Sequence, residues 1–310
     1  MEVVIEAKGI TKIYGDLAAV DHIDFQVFKG EIFSMLGPNG AGKTTTVEIL
    51  EGLRDPTSGK ATVFNVDVQK EYHKVRSKVG VLPQEFEPWD RLRPPEAVSY
   101  WASLFGRKIS KEENKELLKL VGLSQKDKVH GMSLSGGEKR RLGIAMSLVG
   151  NPDLIFLDEP TTGLDPQARR GLWEVIQALG DAGKTVILTT HYLEEAEELS
   201  DRVAIMNKGK IIVSGSPDEL INLYGGGTYV ILKNAGEDGV KALMKLGYKS
   251  TIHDGDLTVR VPALMRTKDF IAQLNQANIR YKDFETRRPV LEDVFFNTVG
   301  GRMEEGELRQ

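Results

Sequence analysis

One glycine-rich segment constrains the fold of this chain more than any other feature of its sequence. Residues 37–44 read GPNGAGKT, which fits the pattern G-x-x-x-x-G-K-[ST] at every position. The apolar residues 32–36 precede it as a predicted strand, and a predicted helix begins near Lys43. A chance glycine-rich turn would not explain these flanking elements. We therefore expect an α/β fold with a phosphate-binding loop that holds a nucleoside triphosphate.

The chemistry of this loop gives a role to each of its polar groups. Glycines let the backbone wrap around an anion with its N–H groups pointing inwards, and the start of the following helix adds a partial positive charge. Lys43 can reach the β- and γ-phosphates, and the Thr44 hydroxyl suits Mg²⁺, which accepts few protein oxygens. The predicted nucleotide contacts along the loop are Gly37, Asn39, Gly40, Ala41, Gly42, Lys43, Thr44 and Thr45.

Two acidic residues follow a second apolar run. Asp158 and Glu159 come directly after residues 154–157, which read LIFL and predict a buried strand. Ligands of open α/β sheets bind at the carboxyl ends of the strands. One of the two acids suits the Mg²⁺ shell, and the other suits a water molecule in line with the γ-phosphate. The alternative is a strand that ends in two solvated acids, and the nearby phosphate-binding loop argues against it.

A third segment combines a helix start with glycines that the helix itself does not need. Residues 134–138 read LSGGE, and Ser135 with Glu138 form a capping box. The two glycines between them remain unexplained, because each weakens a helix by roughly 1 kcal/mol relative to alanine. Glycines in a first turn let another group approach the backbone closely. We infer that this helix start faces an anion.

Elsewhere the apolar pattern indicates a parallel sheet. The runs 154–157 and 185–188 are unbroken apolar strands joined by a helical stretch over 166–179, which is typical of a parallel sheet covered on both faces. A further strand is predicted over 61–68, and residues of about 90–150 are mostly helical.

A second domain is predicted after a glycine-rich linker. The triplet 225–227 is the most flexible stretch in the second half of the chain. Beyond it, residues 228–287 alternate as strand, helix, strand, strand, helix and strand, with a short helix after Pro289. This is the order of a ferredoxin-like α+β domain.

Taken together, the motifs resemble those of the nucleotide-binding subunits of ATP-binding cassette (ABC) transporters. They occur in the family's order over residues of about 1–222. The motifs are the phosphate-binding loop, Gln84 in VLPQ, the LSGG signature, Asp158 with Glu159, Asp165 in GLD, and His191. The resemblance implies a P-loop NTPase cassette of the α/β class, with a RecA-like parallel-sheet core, an antiparallel β subdomain and a helical subdomain. It also implies ATP and Mg²⁺ as cofactors, and ATP hydrolysis as the activity.

The resemblance also sets expectations for domains and partners. We expect a nucleotide-binding domain over 1–224, whose helical subdomain covers about 88–150, and a small ferredoxin-like accessory domain over 228–310. In this family two subunits pack head to tail, and the signature of one covers the γ-phosphate of ATP held by the other. The expected partners are therefore a second copy or a paralogous cassette, together with an integral membrane permease.

The resemblance further implies roles for residues outside the phosphate-binding loop. Tyr14 would stack on adenine, and Gln84 would contact Mg²⁺ and the attacking water. His191 would orient the γ-phosphate and Glu159. The alternatives are a packed tyrosine, a surface glutamine and a structural histidine. The expected catalytic residues are Lys43, Gln84, Glu159 and His191, and the expected metal ligands are Thr44, Gln84 and Asp158.

The signature segment supplies the expected contacts to the second subunit. By resemblance, Ser135 and Gly137 touch the phosphates held by the other copy, and Asp165 crosses the dimer interface. The family usually has glutamine where this chain has Glu138. Since Ser135 and Gly137 are the expected phosphate contacts, this departure does not predict loss of function.

Composition limits the partners and the location. The 41 Lys and Arg residues against 45 Asp and Glu residues give a net charge of −4, which does not indicate a nucleic-acid partner. No window approaches the roughly 18 consecutive apolar residues of a membrane span, and the first residues lack a signal peptide pattern. The chain has no cysteine, which excludes thiolate chemistry. We expect a cytoplasmic protein held at the inner face of the cell membrane through its permease.

A last segment indicates the direction of transport. Residues 289–295 read PVLEDVF and resemble the closing segment of cassettes that work with separate, export-type permeases. The alternative is simple packing of Leu291, Val294 and Phe295 against the sheet. The alternative to a transporter subunit is a soluble ABC ATPase acting on ribosomes or nucleic acid. Such proteins commonly carry two cassettes or long coiled-coil insertions, whereas this chain has one phosphate-binding loop and a helical insert of ordinary length.

Overall fold

The structure, a computed structural model, consists of two units. One covers the chain up to Ser216 together with Met303–Leu308, and the other covers Pro217–Arg302 together with Arg309. The described residues are 2–262 and 265–309. The residues of the expected domains that lie outside this description are Met1, Ala263, Leu264 and Gln310.

The first unit combines two sheets with a group of helices. Its strands are β1 (Val3–Tyr14), β2 (Leu17–Phe28), β3 (Ile32–Leu36), β4 (Ser58–Val63), β5 (Val66–Asp67), β6 (Val79–Leu82), β7 (Leu154–Asp158), β8 (Thr185–Thr190), β9 (Arg202–Asn207) and β10 (Lys210–Gly215). Its helices are α1 (Lys43–Leu50), α2 (Val68–Glu71), α3 (Pro94–Leu104), α4 (Lys111–Leu120), α5 (Gly136–Ser147), α6 (Pro166–Asp181) and α7 (Leu193–Leu199).

The smaller sheet of this unit is antiparallel, with strand order β2-β1-β4-β5. The strand expected over 61–68 is in fact two strands and the start of a helix. Phe64 and Asn65 turn the backbone through the left-handed region, with φ of 49° and 61°, and so separate β4 from β5. Asp67 then caps α2 by accepting a hydrogen bond from the backbone N–H of Gln69 at 3.2 Å.

The larger sheet confirms the expected parallel core. Its order is β10-β9-β3-β8-β7-β6, with only β10 antiparallel to its neighbour. Alternate residues of each strand face opposite sides, as the period of two requires. In β7, Leu154 and Phe156 pack with α1 and the antiparallel sheet, whereas Ile155 and Leu157 pack with the helices of the opposite face. The strands are therefore apolar throughout because both faces of the sheet are covered.

The helical segment lies between β6 and β7 and consists of α3, α4 and α5. Pro94 at the start of α3 and Ser110 at the N-cap of α4 fix where these helices begin. Val98, Leu118 and Leu142, one from each helix, are buried in the core on that face of the sheet. The mostly helical structure expected over about 90–150 corresponds to these three helices and the loops between them.

The second unit is built around a four-stranded antiparallel sheet of order β12-β13-β11-β14. Its helices are α8 (Pro217–Tyr224), α9 (Gly236–Lys245), α10 (Thr267–Gln276) and α11 (Leu291–Val299). Its strands are β11 (Gly227–Lys233), β12 (Ser250–His253), β13 (Asp256–Pro262) and β14 (Asp283–Arg287). The chain order and strand order are those of a ferredoxin-like domain.

Helix α8 belongs to the second unit, so the division falls before the triplet 225–227 rather than at it. The Asn297 side-chain amide on α11 donates to the carbonyl of Tyr224, the last residue of α8, at 2.8 Å. On the same helix, Leu291, Val294 and Phe295 are fully buried. Packing therefore accounts for the apolar residues of the segment that was compared with export-type cassettes.

Two further elements were not expected from the sequence. Strands β15 (Arg302–Glu304) and β16 (Glu307–Arg309) form a short hairpin, and its Met303–Leu308 portion belongs to the first unit. Among the residues that the structure describes, none of the helices has the length and apolar character required to cross a membrane.

Candidate active site

Four loops of the first unit meet at one edge of the larger sheet. Strands β3, β8, β7 and β6 are parallel and adjacent in that order, so their carboxyl ends lie at the same edge. The phosphate-binding loop follows β3, Gln84 follows β6, Asp158 ends β7 and His191 follows β8. Strand order alone therefore brings together residues that are far apart in the chain.

A cavity of about 1020 Å³ opens at this edge. It is lined by most of the site residues predicted from the sequence: Tyr14, Asn39, Gly40, Ala41, Gly42, Lys43, Thr44, Thr45, Gln84, Glu159 and His191. The lining residues that the sequence did not indicate are Leu17, Ala18, Ala19, Thr162, Tyr192, Lys208 and Glu305. Gly37 and Asp158 lie behind this lining and are bonded to Lys43 and Thr44.

Two glycines give the phosphate-binding loop a shape that a side chain would prevent. Gly42 immediately precedes α1 with φ of 102°, and a Cβ atom there would overlap the carbonyl oxygen of Ala19. A Cβ atom at Gly37 would overlap the carbonyl oxygen of Met206. The loop therefore leads directly into the first turn of α1, whose N–H groups have no partners within the helix and attract anions.

Lys43 is buried within the loop that it belongs to, and its side chain is 4% exposed. Its ammonium group donates to the carbonyl oxygens of Gly37 at 2.8 Å and Pro38 at 3.2 Å. The same Nζ atom lies 3.2 Å from Glu159 Oε1. Burial lowers the pKa of Lys43, while the charges of Glu159 and Asp158 oppose that shift. The lysine is thus held in place by its loop and by one carboxylate.

Asp158 and Thr44 bring two oxygens together at the base of the cavity. The Thr44 hydroxyl lies 3.3 Å from Asp158 Oδ1 and donates to it. The Thr189 hydroxyl on β8 donates to the same carboxylate oxygen in a short hydrogen bond. Burial raises the pKa of Asp158, and the hydrogen bonds from Thr189 and Thr44 counteract part of this effect. Two hydroxyls therefore orient this carboxylate.

Glu159 has a strained backbone and a well-defined side chain. Its φ is 44°, in the left-handed region, which costs a residue other than glycine about 1 kcal/mol or more. Its backbone N–H donates to the Thr189 hydroxyl at 2.9 Å. The Glu159 Oε2 atom accepts from the Thr162 hydroxyl at 3.0 Å and lies 3.2 Å from His191 Nδ1. With this backbone conformation, the carboxylate lies at the cavity between Lys43 and His191.

The electrostatics of Glu159 follow from these contacts. Burial raises the pKa of Glu159, but the hydrogen bond from His191 and the charge of Lys43 outweigh burial and lower it to about 2. The carboxylate is therefore fully ionised at neutral pH. It is available as a hydrogen-bond acceptor for a water molecule as soon as its present partners move.

Gln84 lines the cavity opposite the phosphate-binding loop, and its backbone is held by the helix that follows the signature. The Arg140 guanidinium on α5 donates to the carbonyl of Pro83 at 3.0 Å and to that of Gln84 in a short hydrogen bond. Burial lowers the pKa of Arg140, and the charges of Glu87, Asp158 and Glu159 oppose the shift. The structure thus connects α5 to the loop that carries Gln84.

Tyr14 is an exposed aromatic residue at the rim of the cavity, with 40% of its surface accessible. Lys12 Nζ lies 5.3 Å and the Arg54 guanidinium 5.5 Å from the centre of its ring. The packed-tyrosine alternative does not fit this exposure. A ring in this position can stack on a planar base.

The signature residues lie away from this cavity within the same chain. Ser135 caps α5 by accepting from the Glu138 N–H at 3.3 Å, and Glu138 accepts from the Ser135 N–H at 2.9 Å, so the capping box is present. Ser135 and Asp165 line a second cavity of about 760 Å³. Gly137 packs closely against Ala168 of α6, where a Cβ atom would come within 2.8 Å of the alanine side chain.

The hairpin formed by β15 and β16 reaches the phosphate-binding loop. The backbone N–H of Asn39 donates to the carbonyl of Gly306 at 2.7 Å, and Glu305 lines the cavity. Glu305 and Gly306 are the turn residues of the hairpin, with φ of 48° and 80°. A glycine next to a polar residue is a turn signal in the sequence, so the turn at Glu305 and Gly306 could be expected. No neighbouring residue indicates that this turn lies beside the phosphate-binding loop.

A sequence profile described as ABC transporter matches residues 20–162. The linearmycin resistance ATP-binding protein LnrL of Bacillus subtilis is 35% identical to the chain over 305 residues, which are 96% of this chain and 98% of that protein. The chain belongs to the ABC transporter ATP-binding proteins. It is therefore the ATP-binding and ATP-hydrolysing subunit of an ABC transporter, as the sequence motifs predict.

Two further comparisons agree with this family. A Nod factor export ATP-binding protein I of Cupriavidus pinatubonensis is 36% identical over 310 residues, which are 97% of this ABC subunit and 92% of that protein. A solved ATP-binding cassette, bound to ADP and Pi in a dimeric post-hydrolysis state, is 28% identical with a TM-score of 0.61. The match covers 68% of this chain and 98% of that one. The expected P-loop cassette fold is thereby confirmed.

Proposed function

We propose that this ABC subunit hydrolyses Mg-ATP in a head-to-tail dimer in which each site is completed by the signature of the second cassette. The observation that carries the proposal is the separation of the two halves within one chain. Lys43 and Glu159 line one cavity, whereas Ser135 and Asp165 line another. Ser135 and Gly136 are exposed at the start of α5, where a helix attracts anions. In the proposed dimer, the γ-phosphate of ATP held by the second copy faces this helix start.

The residues at the base of the cavity fit Mg²⁺. Thr44 Oγ1 and Asp158 Oδ1 are 3.3 Å apart, and both are hard oxygen donors of the kind that this ion prefers. Gln84, across the cavity, has an amide oxygen of the same class. When bound, Mg²⁺ neutralises charge on the β- and γ-phosphates. In this proposal Thr44, Asp158 and Gln84 hold it.

The remaining side chains carry the proposed chemistry. Glu159 accepts a hydrogen bond from the attacking water, because its carboxylate is ionised and points into the cavity. His191 holds Glu159 through the Nδ1 contact and orients the γ-phosphate. Lys43 offsets the negative charge that develops on the transferring phosphoryl group. Tyr14 stacks on the adenine at the rim.

The transport class is proposed from the relatives. The relatives named above are a drug resistance protein and a Nod factor export protein. We assign this subunit to an exporter, working with a separate integral membrane permease at the inner face of the membrane. Each named relative is a transport or resistance protein, which favours a transporter subunit over an ATPase acting on ribosomes or nucleic acid. Co-purification from detergent-solubilised membranes tests this assignment, since a multi-span partner supports it and ribosomes or nucleic acid contradict it.

The experiment that tests the site is the substitution Glu159→Gln. The glutamine keeps the shape of the side chain but accepts a water proton poorly, and a positioned general base contributes about 10²- to 10⁴-fold to a rate. We expect ATP to be retained with turnover lowered at least about a hundredfold. The matched control is Glu194→Gln on the exposed face of α7, which should hydrolyse ATP at the normal rate. Normal hydrolysis by Glu159→Gln would remove this residue from the mechanism.

The shared site is tested by the dependence of turnover on protein concentration. If part of each site comes from a second copy, turnover per chain rises with concentration and then levels off. Gel filtration of Glu159→Gln with ATP should then show a dimer that is absent without nucleotide. A rate strictly proportional to enzyme concentration, with no nucleotide-dependent dimer, would refute the shared site.

A further inference from the structure

The hairpin formed by β15 and β16 places an acidic turn beside the phosphate-binding loop. Residues 303–308 read MEEGEL, which contains three glutamates and no lysine or arginine. These residues belong to the first unit, and the turn itself consists of Glu305 and Gly306. The proposed hydrolysis of ATP uses neither residue. Their position at the nucleotide cavity therefore needs an explanation of its own.

A backbone hydrogen bond joins this turn to the phosphate-binding loop. The N–H of Asn39 donates to the carbonyl oxygen of Gly306 at 2.7 Å. A phosphate-binding loop holds its anion through backbone N–H groups of this kind, and each residue has one such donor. Asn39 is also among the predicted nucleotide contacts. The Gly306 carbonyl thus occupies a donor that suits a phosphate oxygen.

The close approach of the turn depends on a glycine at the point of contact. Gly306 is buried, and a Cβ atom there would lie 2.7 Å from Asn39 Nδ2 and 3.0 Å from Asn39 Cγ. The φ of Gly306 is 80°, a backbone conformation that a residue with a side chain adopts only with strain. A larger residue at this position would therefore displace the turn from the loop.

The other turn residue adds negative charge to the same cavity. Glu305 is exposed, and it lines the cavity together with Lys43 and Thr44. Lys43 and the start of α1 favour an anion there. A carboxylate in this cavity repels a second anion such as a triphosphate. The turn therefore offers the loop the two features of a phosphate group, an acceptor oxygen for Asn39 and a negative charge.

We propose that the β15–β16 hairpin is an autoinhibitory element that competes with the phosphates of ATP for the phosphate-binding loop. This inference rests on the proposed binding of ATP at that loop. ATP binds when the Gly306 carbonyl leaves the Asn39 N–H and Glu305 leaves the cavity. The apparent Kd equals the Kd of the open site divided by the fraction of chains with an undocked hairpin. The hairpin thus sets the ATP concentration at which the site fills and takes no part in the reaction.

The test measures equilibrium binding of Mg-ATP to the full chain and to two hairpin variants. Glu305→Gln removes the charge and keeps the shape of the turn, and its Kd should fall about threefold at low salt. Gly306→Val displaces the turn and so removes the hydrogen bond together with the charge, and its Kd should fall about tenfold. In both variants KM for ATP should fall with Kd, while kcat at saturating ATP stays at the value of the parent.

Each hairpin variant has a matched control. Glu307→Gln makes the same change of charge on β16, at an exposed residue that does not line the cavity. Gly255→Val makes the same replacement in the turn between β12 and β13. Asp254 and Gly255 have φ of 49° and 85° there, and the atom nearest to a Cβ at Gly255 is 3.8 Å away. Both controls should bind ATP with the Kd of the parent.

Salt provides a second measurement that a merely structural effect would not change. Because ions screen exposed charges, the gain in affinity from Glu305→Gln should shrink as the salt concentration rises from about 0.05 to 0.5 M. Equal Kd values for the parent, Glu305→Gln and Gly306→Val would overturn the proposal. A loss of affinity in either variant would also overturn it, because the hairpin would then help to bind the nucleotide. If Gly306→Val does not fold, Glu305→Gln and its salt dependence decide the question.

The variant Lys43→Ala separates this inference from the binding site on which it rests. If Lys43→Ala binds ATP as tightly as the parent, the phosphate-binding loop is not the ATP site, and the inference fails with that assignment. If Lys43→Ala binds ATP weakly while Glu305→Gln and Gly306→Val match the parent, only the autoinhibitory role of the hairpin is overturned.

Discussion

Glu51 offers a quantitative test of the electrostatics beside the site. It is the C-cap residue of α1 and is only 5% exposed. Burial raises the pKa of Glu51 from 4.5 to about 8, and the nearby charges of Asp158 and Glu48 add to the effect. The substitution Glu51→Gln removes the titrating group and keeps its shape. We expect the variant to be more stable than the parent above pH 5.

The sign and size of the effect follow from proton linkage. The folded protein keeps the Glu51 proton up to about pH 8, whereas the unfolded chain releases it near pH 4.5. The unfolded state therefore binds fewer protons between these values, and the parent loses stability as pH rises through that window. The loss is ~1.4 kcal/mol per pH unit, or about 3 kcal/mol at pH 7. Glutamine does not titrate, so the variant escapes this loss.

The assay is chemical unfolding of both proteins at pH 5, 6, 7 and 8, followed by tryptophan fluorescence. All three tryptophans, Trp89, Trp101 and Trp173, lie in the first unit, so the signal reports on the unit that contains Glu51. The difference in the free energy of unfolding should be below about 1 kcal/mol at pH 5 and should grow with pH. A difference that does not change with pH would refute the reasoning.

Three other substitutions have defined outcomes. Tyr14→Ala should weaken ATP binding about tenfold in an equilibrium titration, since stacking on a base contributes about 1–3 kcal/mol, and Tyr14→Phe should not. Gly42→Ala should abolish ATP binding and lower the melting temperature, because its Cβ meets the Ala19 carbonyl at a positive φ; tight binding would contradict this geometry. Asp293→Ala removes two hydrogen bonds from Arg287, at 2.7 and 3.0 Å. It should lower the free energy of unfolding of the second unit by about 1–2 kcal/mol, as followed by circular dichroism. An unchanged unfolding curve would show that solvent replaces these hydrogen bonds.

The sequence predicts the parts of the site that depend on local spacing. The phosphate-binding loop, the acids after β7 and the capping box of α5 each lie within a few consecutive residues, and their geometry follows from the turn, strand end or helix start that carries them. The order of most strands and helices is equally accessible, because apolar runs and glycine turns mark them, but the strands β15 and β16 and the break between β4 and β5 are not predicted. Family resemblance adds expected roles for Tyr14, Gln84 and His191, and the structure finds all three lining one cavity.

The sequence does not reveal contacts that depend on which strands become neighbours. Thr189 orients Asp158 and binds the Glu159 N–H only because β8 lies beside β7. Thr162 showed no feature beyond its nearness to Glu159. Polar residues at the end of the apolar strand β8 were the one available signal for Thr189. The break at Phe64 and Asn65 was missed because apolar composition outweighed a single asparagine, a residue that tolerates left-handed backbone.

The pairing of Lys43 with Glu159 at 3.2 Å also determines what binding of a triphosphate involves. The lysine already has an anionic partner, so in the proposed function the incoming phosphates substitute one anion for another rather than neutralise a free cation. The hydrogen bond from His191 and, after it, the charge of Lys43 lower the pKa of Glu159 to about 2, so phosphates that draw Lys43 away in the proposed complex would raise the pKa of Glu159. Arrival of the substrate thereby makes the carboxylate more basic.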